Sequence, residues 1–386
     1  METYVGVGEE IERIRNTRGL TQEALATRAG ISRSRLSKVE GGKIHPSGSW
    51  IAAVATALEV DASMLYRQPV EADELDGIVP MVRRVVSSTD PLPGIDPDPI
   101  DKLRKTVAKV SRWRHAGAYA NIAAVLPDLV DQLLVATERD GSEAYELLVT
   151  AYRAGNTLSH KMGHYDLSTI ATDRMVWAAS HTEDPLLLAT AQYVRTAALV
   201  RVGETRRAIL VTDKSIADIE EYADSRVGAA VLSALHMRRA GLAATFADGS
   251  TADTHFAEAY TLGAKAGDGQ IHGTVVGPTN VKLFELAAAI DLGRLDRAHE
   301  IADATALPDD YPGERQAHYW LDRARLHLND GRPDEAVTDL QNAFESAPEY
   351  FRKSRAGRSA FDAAAVRQRR VNEGLRALGA RAGFQS

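Results

Sequence analysis

Beyond residue 100 the chain is broken by glycine at near-constant intervals. Gly163, Gly203, Gly249, Gly293 and Gly331 stand 40, 46, 44 and 38 residues apart. Gly117 and Gly141 mark two earlier breaks. Between the breaks Ala and Leu recur three and four positions apart, the period of one helix face, and no strand-like alternation persists. A repeat of this size is the length of one helix pair. Such a pair cannot bury its apolar face alone, so copies must stack, and at least three are needed for a stable array. The spacing therefore predicts an all-α solenoid over residues 100–386, with no sheet. A hydrophobic content of 44% supplies the side chains to fill it.

The most regular unit runs from Ala317 to Pro348. Gly331 turns the chain between two helices, Ala324 and Ala336 let those helices cross closely, and Pro348 ends the second. Trp320 and Ala343 complete the pattern. The turn G-x-x-x-x-A occurs at Gly203–Ala208, Gly293–Ala298 and Gly331–Ala336, while Gly163 and Gly249 carry Ser168 and Thr254 where the alanine would stand. These placements resemble tetratricopeptide repeats, with the earlier copies degenerate.

A second pattern lies near the N-terminus, from Gly19 to Lys43. Thr21 is placed to cap a helix starting at Gln22, whose narrow apolar face is Leu25, Ala26 and Ala29. Gly30 turns the chain, Ile31 plugs the corner and Ser32 caps a second helix. Leu36 and Val39 point inward, leaving Arg33, Ser34, Ser37 and Lys38 outward, and Gly41-Gly42 ends the helix. Two short helices so arranged present a rod to the DNA major groove. The strings L-T-Q-E-x-L-A, G-I-S and L-S-K-V-E-x-G-K, with agreeing apolar positions over roughly Val7 to Tyr66, are similar to the Cro/repressor (XRE-type) DNA-binding domain. That resemblance implies five helices. Joined to tetratricopeptide-like repeats, it resembles the architecture of the peptide-pheromone receptors and of actinobacterial regulators of this length. The phrases Y-A-N-I-A-A-V-L-P-D-L from Tyr119 and G-H-Y-D-L from Gly163 are similar to the latter group.

Net charge is −7, which suits a nucleic-acid binder only once it is divided. Residues 1–68 carry nine Lys/Arg and eight Asp/Glu, whereas Arg28 to Lys43 holds five basic residues and the single acid Glu40. Positive charge is thus concentrated on the second helix, as an electrostatic footprint requires. The chain has no cysteine, which excludes disulfides, thiolate zinc sites and cysteine nucleophiles. The N-terminus shows no secretory apolar region and no apolar run approaches a membrane span, so a cytoplasmic location is expected. Six prolines between Arg67 and Pro99 break regular structure and predict a semi-rigid tether, interrupted by a short helix around Leu75–Val86. The expected organisation is a DNA-binding domain at 1–68, a linker at 69–99 and a repeat domain at 100–386.

The candidate DNA contacts follow from this placement. Arg33 and Lys38 are placed to donate to guanine edges, with Ser34 beside them. Thr21, Gln22, Ser32, Ser37 and Lys43 are placed for the phosphate backbone, Gln22 through its amide and the start of its helix. Arg35 either joins them or bridges to Glu40 or Glu23. In the repeats, Asn156, His160, Gln192, Arg195, His236, Arg239 and Asn280 are expected on the first helices of successive pairs, lining a concave surface for a peptide, small-molecule or protein signal. His160 and His164 are four apart, but Gly163 between them and the lack of a third ligand argue against a metal. The basic segment Phe351–Ser386 reads as a cap on the array. No phosphate loop, nucleophile elbow or kinase signature is present, so neither catalysis nor a cofactor is expected. The pattern predicts a dimeric, signal-responsive DNA-binding regulator. The alternative is an interaction scaffold using its helix-turn-helix for protein contacts, against which the basic face of the second helix argues.

Overall fold

The computed structural model describes residues 6–66, 77–368 and 373–384. Residues 67–76, which include the first eight positions of the expected linker, lie outside them. Five helices form the N-terminal domain: α1 (Val7–Thr17), α2 (Gln22–Ala29), α3 (Arg33–Glu40), α4 (Gly48–Ala57) and α5 (Ala62–Tyr66). Ile11, Leu25, Leu36, Trp50, Val54, Leu58 and Leu65 meet in a core of their own. Gly8 allows α1 to lie against the end of α3, since a Cβ there would fall 2.0 Å from the Val39 carbonyl oxygen. Gly30 closes α2 in the left-handed conformation at φ +67°, where a side chain would be strained.

The short helix expected in the linker is α6 (Val79–Ser87). It does not hang free: Val79, Val82, Val85 and Val86 are buried in the core of the repeats. Antiparallel pairs follow: α7 (Ile100–Ala116) with α8 (Tyr119–Asp140), α9 (Ser142–Lys161) with α10 (Tyr165–Ala179), and α11 (Pro185–Arg201) with α12 (Thr205–Ile219). Next come α13 (Arg226–Thr245) with α14 (Gly249–Ala266), α15 (Pro278–Asp291) with α16 (Leu295–Asp303), and α17 (Gly313–Asn329) with α18 (Pro333–Ser346). The basic C-terminal segment supplies α19 (Pro348–Lys353), α20 (Arg355–Arg367) and α21 (Glu373–Ala382), packed on the last pair. The protein is all-α in class, an N-terminal helical domain followed by a stack of helix pairs.

The turn motif has a simple packing cause. Five residues after each turn, one side chain enters the junction between the helices of the pair: Ile122, Ser168, Ala208, Ala298 and Ala336, all fully buried. One turn departs from the expected register. Ala247, not Gly249, takes the left-handed conformation, at φ +60°, and Ala252, five residues on, is the buried partner. Gly249 instead makes room for Arg294, whose Nη2 would lie 2.4 Å from a Cβ there.

Two further expectations fail. The stack contains a two-stranded hairpin, β1 (Gly269–Ile271) with β2 (Thr274–Val276), between α14 and α15. His272 and Gly273 form its two-residue loop, both at positive φ, 46° and 67°, the conformation that matches strand twist in a tight hairpin. Three-residue strands are too short for an alternation pattern to register. Also, α8 is long and apolar enough to cross a membrane by composition, the one such helix among the described residues. Half of that stretch is buried within the stack, between α7 and α9.

Left-handed Ala247 costs about 1–2 kcal/mol relative to glycine, partly offset by glycine's greater freedom when unfolded. Ala247→Gly should therefore stabilise the protein by roughly 0.5–1 kcal/mol, read as a raised melting temperature by calorimetry. A lowered melting temperature would contradict the assigned turn.

Candidate nucleic-acid interface and central cavity

The caps of the helix-turn-helix form as expected. The Thr21 hydroxyl accepts from the Ala24 amide at 3.1 Å and Ser32 from the Arg35 amide at 3.4 Å. Arg33, Ser34, Ser37 and Lys38 are exposed along α3, with Thr21, Ser32 and Lys43 exposed nearby. Arg33 approaches Glu23 at 3.5 Å, a contact between exposed groups that contributes little. Gln22 departs from expectation: its amide donates to Glu40 at 2.7 Å. Glu40 is buried and also receives Nε and Nη2 of Arg15, at 2.7 and 3.0 Å. The Gln22 side chain thus locks α1, α2 and α3 together, and the donors left at the start of α2 are backbone N–H groups.

Arg35 also turns away from the exposed face, toward neither Glu40 nor Glu23. It reaches Asp291 at the end of α15, donating to the carboxylate at 2.9 Å and to the backbone carbonyl. Ser47, the cap of α4, donates to the same carboxylate at 2.8 Å, and Arg325 of α17 donates at 3.0 Å. Burial pushes the Asp291 carboxyl up, but Arg325 and Arg35 outweigh it and hold it below the usual carboxylate range. The N-terminal domain meets the repeats at further turns. Thr56 lies against Gly203, Gly30 against Phe246, and the His45 amide donates to Asn329 at 2.7 Å. Arg367 of α20 donates to the Gly42 carbonyl at 2.6 Å.

This docking leaves a half-open cavity of about 480 Å³ between the first helices of the pairs and the N-terminal domain. Helical period explains its walls. On α9, Arg153, Asn156, Thr157, His160 and Lys161 line it, and on α11, Tyr193, Val194, Ala197, Val200 and Arg201, each set one face of a helix. Asn280 and Phe284 of α15 and Glu314, Arg315 and His318 of α17 add to the repeat side, while Gly48, Ser49, Ala52, Ala62 and Tyr66 form the N-terminal side. The hairpin supplies Gly273 to Val275. It is held by Arg114, donating to the Gly273 carbonyl at 2.6 Å, and by Arg153, donating to the His272 carbonyl at 2.8 Å.

Of the residues expected to hold a signal, Asn156, His160 and Asn280 line this cavity. Asn156 accepts from Ser168 at 2.7 Å, and Asn280 donates to the Val275 carbonyl while accepting from Arg315 at 2.7 Å. Gln192, Arg195, His236 and Arg239 do not line it. Arg195 pairs with Asp173 of α10 at 2.9 Å, Arg239 with Asp213 of α12 at 2.8 Å, and His236 with His255 of α14 at 2.9 Å. They sit on the right helices, one or two positions out of phase. The residues missed are the cations Arg114, Arg153, Lys161, Arg201, Arg238, Arg315, Lys353 and Arg355. Arg201 carries the clearest signal, a lone basic residue at the end of the apolar run A-A-L-V.

Electrostatics within the cavity are dominated by burial. Burial pushes Glu314 up, but Lys161, at 2.6 Å, and His318 hold it well below the usual range. Burial, with Arg114 and Arg238 alongside, lowers Arg153 to about 9. Burial lowers His115 and His318 to about 3 and about 4, each with neighbouring cations adding to it. At the domain junction, burial with Arg367 and Arg325 lowers His45 to about 3.

Two predictions follow from these groups. Asp291→Ala leaves Arg35 and Arg325 without their shared carboxylate, and breaking a buried pair costs about 3–5 kcal/mol. The variant should expose the junction to limited proteolysis near residue 45, and an unchanged digestion pattern would contradict the docking role. The depressed histidines stay neutral in the folded state while their unfolded counterparts protonate near pH ~6.5. Stability is then complete above that pH and declines as acidification proceeds toward about 4. The melting temperature should fall from pH 7.5 to 5, less steeply in His318→Gln. A flat profile would rule this out.

Comparison with known proteins bears on the N-terminal domain. Residues 7–66 match a family described as a helix-turn-helix domain. Over 59 residues the chain is 44% identical to the immunity repressor protein of Bacillus phage phi105, a match covering 15% of this chain and 41% of the relative. The chain thus spans about two fifths of that repressor's length. Among solved structures it is similar to Bacillus thuringiensis PlcR in complex with the peptide PapR7 and DNA, at 15% identity and a TM-score of 0.31, covering 66% of this chain and 93% of the other. Residues 7–66 are a helix-turn-helix domain homologous to that of a phage repressor.

Proposed function

We propose that this protein is a sequence-specific DNA-binding transcriptional regulator, not an enzyme, whose repeats hold an effector in the central cavity. One observation carries the reading. The N-terminal domain docks through α4, α5 and Arg35, and this leaves Arg33, Ser34, Ser37 and Lys38 exposed together on α3. A domain using its basic helix for internal contacts would bury that face. Arg33 and Lys38 read bases, while Thr21, Ser32, Lys43 and the start of α2 hold phosphates. The regulator acts in the cytoplasm as a homodimer on paired half-sites, one helical turn of ~34 Å or a multiple apart. Its effector is a peptide or small molecule that touches both domains at once, so no signal need pass along the linker.

Selection of duplexes from a random pool, followed by anisotropy titration, tests the reading. Arg33→Ala should cost about 1–3 kcal/mol on the selected site and relax preference at one base pair. Lys43→Ala should weaken all duplexes alike and reduce the salt dependence by about one phosphate contact. Equal losses for Arg33→Ala on selected and random duplexes would remove the base-reading role.

A further inference from the structure

The central cavity is built for negative charge. Six arginines and two lysines line it against one carboxylate, Glu314, and Glu314 is already paired with Lys161. The cations arrive from separate helices: Arg114 on α7, Arg153 on α9, Arg201 on α11, Arg238 on α13 and Arg315 on α17. Arg201 and Arg238 have no ionic or hydrogen-bonded partner among the described residues, and each has a guanidinium nitrogen, Nη1 and Nε respectively, buried and unpaired. Arg238 lies over the rings of Tyr193 and Phe284, at 4.6 and 5.8 Å, which orient it without supplying negative charge.

Burial, then the nearby charge of Arg238, lowers Arg201 to about 10, so the two guanidinium groups repel across the cavity. Both side chains are half-buried, and charge drawn even partly out of water without a partner is costly, so a fold evolving for stability alone would exchange them for apolar ones. Guanidinium groups match phosphate and carboxylate oxygens with paired donors, and the volume falls within the range of small-molecule sites.

We infer that the cavity binds a small molecule carrying two or more phosphate or carboxylate groups, held by Arg201 and Arg238 with its body against Tyr193 and Phe284. This rests on the proposed function only for its regulatory meaning. Ser49 and Tyr66 line the same cavity, so the bound anion lies against the N-terminal domain.

Thermal melting and calorimetric titration of the full chain test the site, with pyrophosphate and citrate as probes and chloride at matched ionic strength as control. At least one probe should raise the melting temperature of the native protein beyond chloride. A stronger response to pyrophosphate assigns phosphate as the anionic group, and a stronger response to citrate assigns carboxylate. The double variant Arg201→Met with Arg238→Met should melt at or above the native temperature without a probe and bind the probe at least about tenfold more weakly. Arg201→Lys, which keeps the charge and loses the paired donors, should melt like the native protein and still lose affinity, and it carries the test if the double variant does not fold. Three results would overturn the inference: no response of the native protein to either probe, equal responses in native protein and variants, or a double variant that folds but melts lower. None of these arms uses DNA, so a failure of operator binding would remove the proposed function and leave the anion site standing.

Discussion

The Asp291 carboxylate is the ion on which the relation between the two parts of the molecule depends. Removing it from water costs several kcal/mol, and the structure offsets this with donors from three directions: Arg35 on α3, Ser47 at the start of α4 and Arg325 on α17. Arg325 donates in turn to the Ala287 carbonyl at 3.0 Å, tying the group back into α15. Because the ion is buried and its partners are specific, the pose of the helix-turn-helix follows the relative position of α15 and α17. An apolar contact would tolerate sliding. A shared carboxylate with fixed donor geometry does not.

The same logic extends along the array. The N-terminal domain touches the turn at Gly203, the turn near Phe246, Asp291 beside the turn at Gly293, and Asn329 beside the turn at Gly331. Successive repeats therefore each hold part of one rigid body. A small change in the stacking of the pairs moves several of these points in a concerted direction. Allosteric coupling is typically ~1–3 kcal/mol, and one or two hydrogen bonds to a charged group are worth as much. The junction needs no large rearrangement to change how the domain is presented.

Much of this was legible in the chain. The glycine period and the buried residue five positions after each turn announce helix pairs, and the caps and corner of the helix-turn-helix are each a local choice of residue with a local cause. The failures share a physical origin. Arg35 and Gln22 were placed by helix phase alone, but their partners, Asp291 and Glu40, are distant in sequence, and neither an ion pair nor a side-chain hydrogen bond leaves a periodic trace. Gln192, Arg195, His236 and Arg239 were assigned to the concave face by residue type, whereas a rotation of about 100° per residue decides which neighbour a side chain meets. The hairpin was missed because its strands are three residues long. Ala247 was missed because glycine is the usual occupant of a left-handed turn, and Gly249 two positions away drew the assignment.

Whether charge in the cavity acts on the exposed face of α3 by its field or by its contacts is decided by distance. The cavity is lined by α4 and α5, not by α3, so at least one helix separates it from Arg33 and Lys38. A helix with its side chains is ~10–12 Å across, while the screening length at physiological salt is ~8 Å. Neutralising the cavity arginines thus changes the potential at the exposed face only weakly. Contact is the stronger route. The anion would pull Arg201 and Arg238 together where they now repel, drawing α11 toward α13. The N-terminal domain rests on the turns at the ends of those same two helices, at Gly203 and Phe246. Their approach would displace Thr56 and Gly30, on α4 and at the end of α2, relative to Asp291. Charge in the cavity would in this way be converted into an angle of the helix-turn-helix, and the exposed face of α3 would be carried with it.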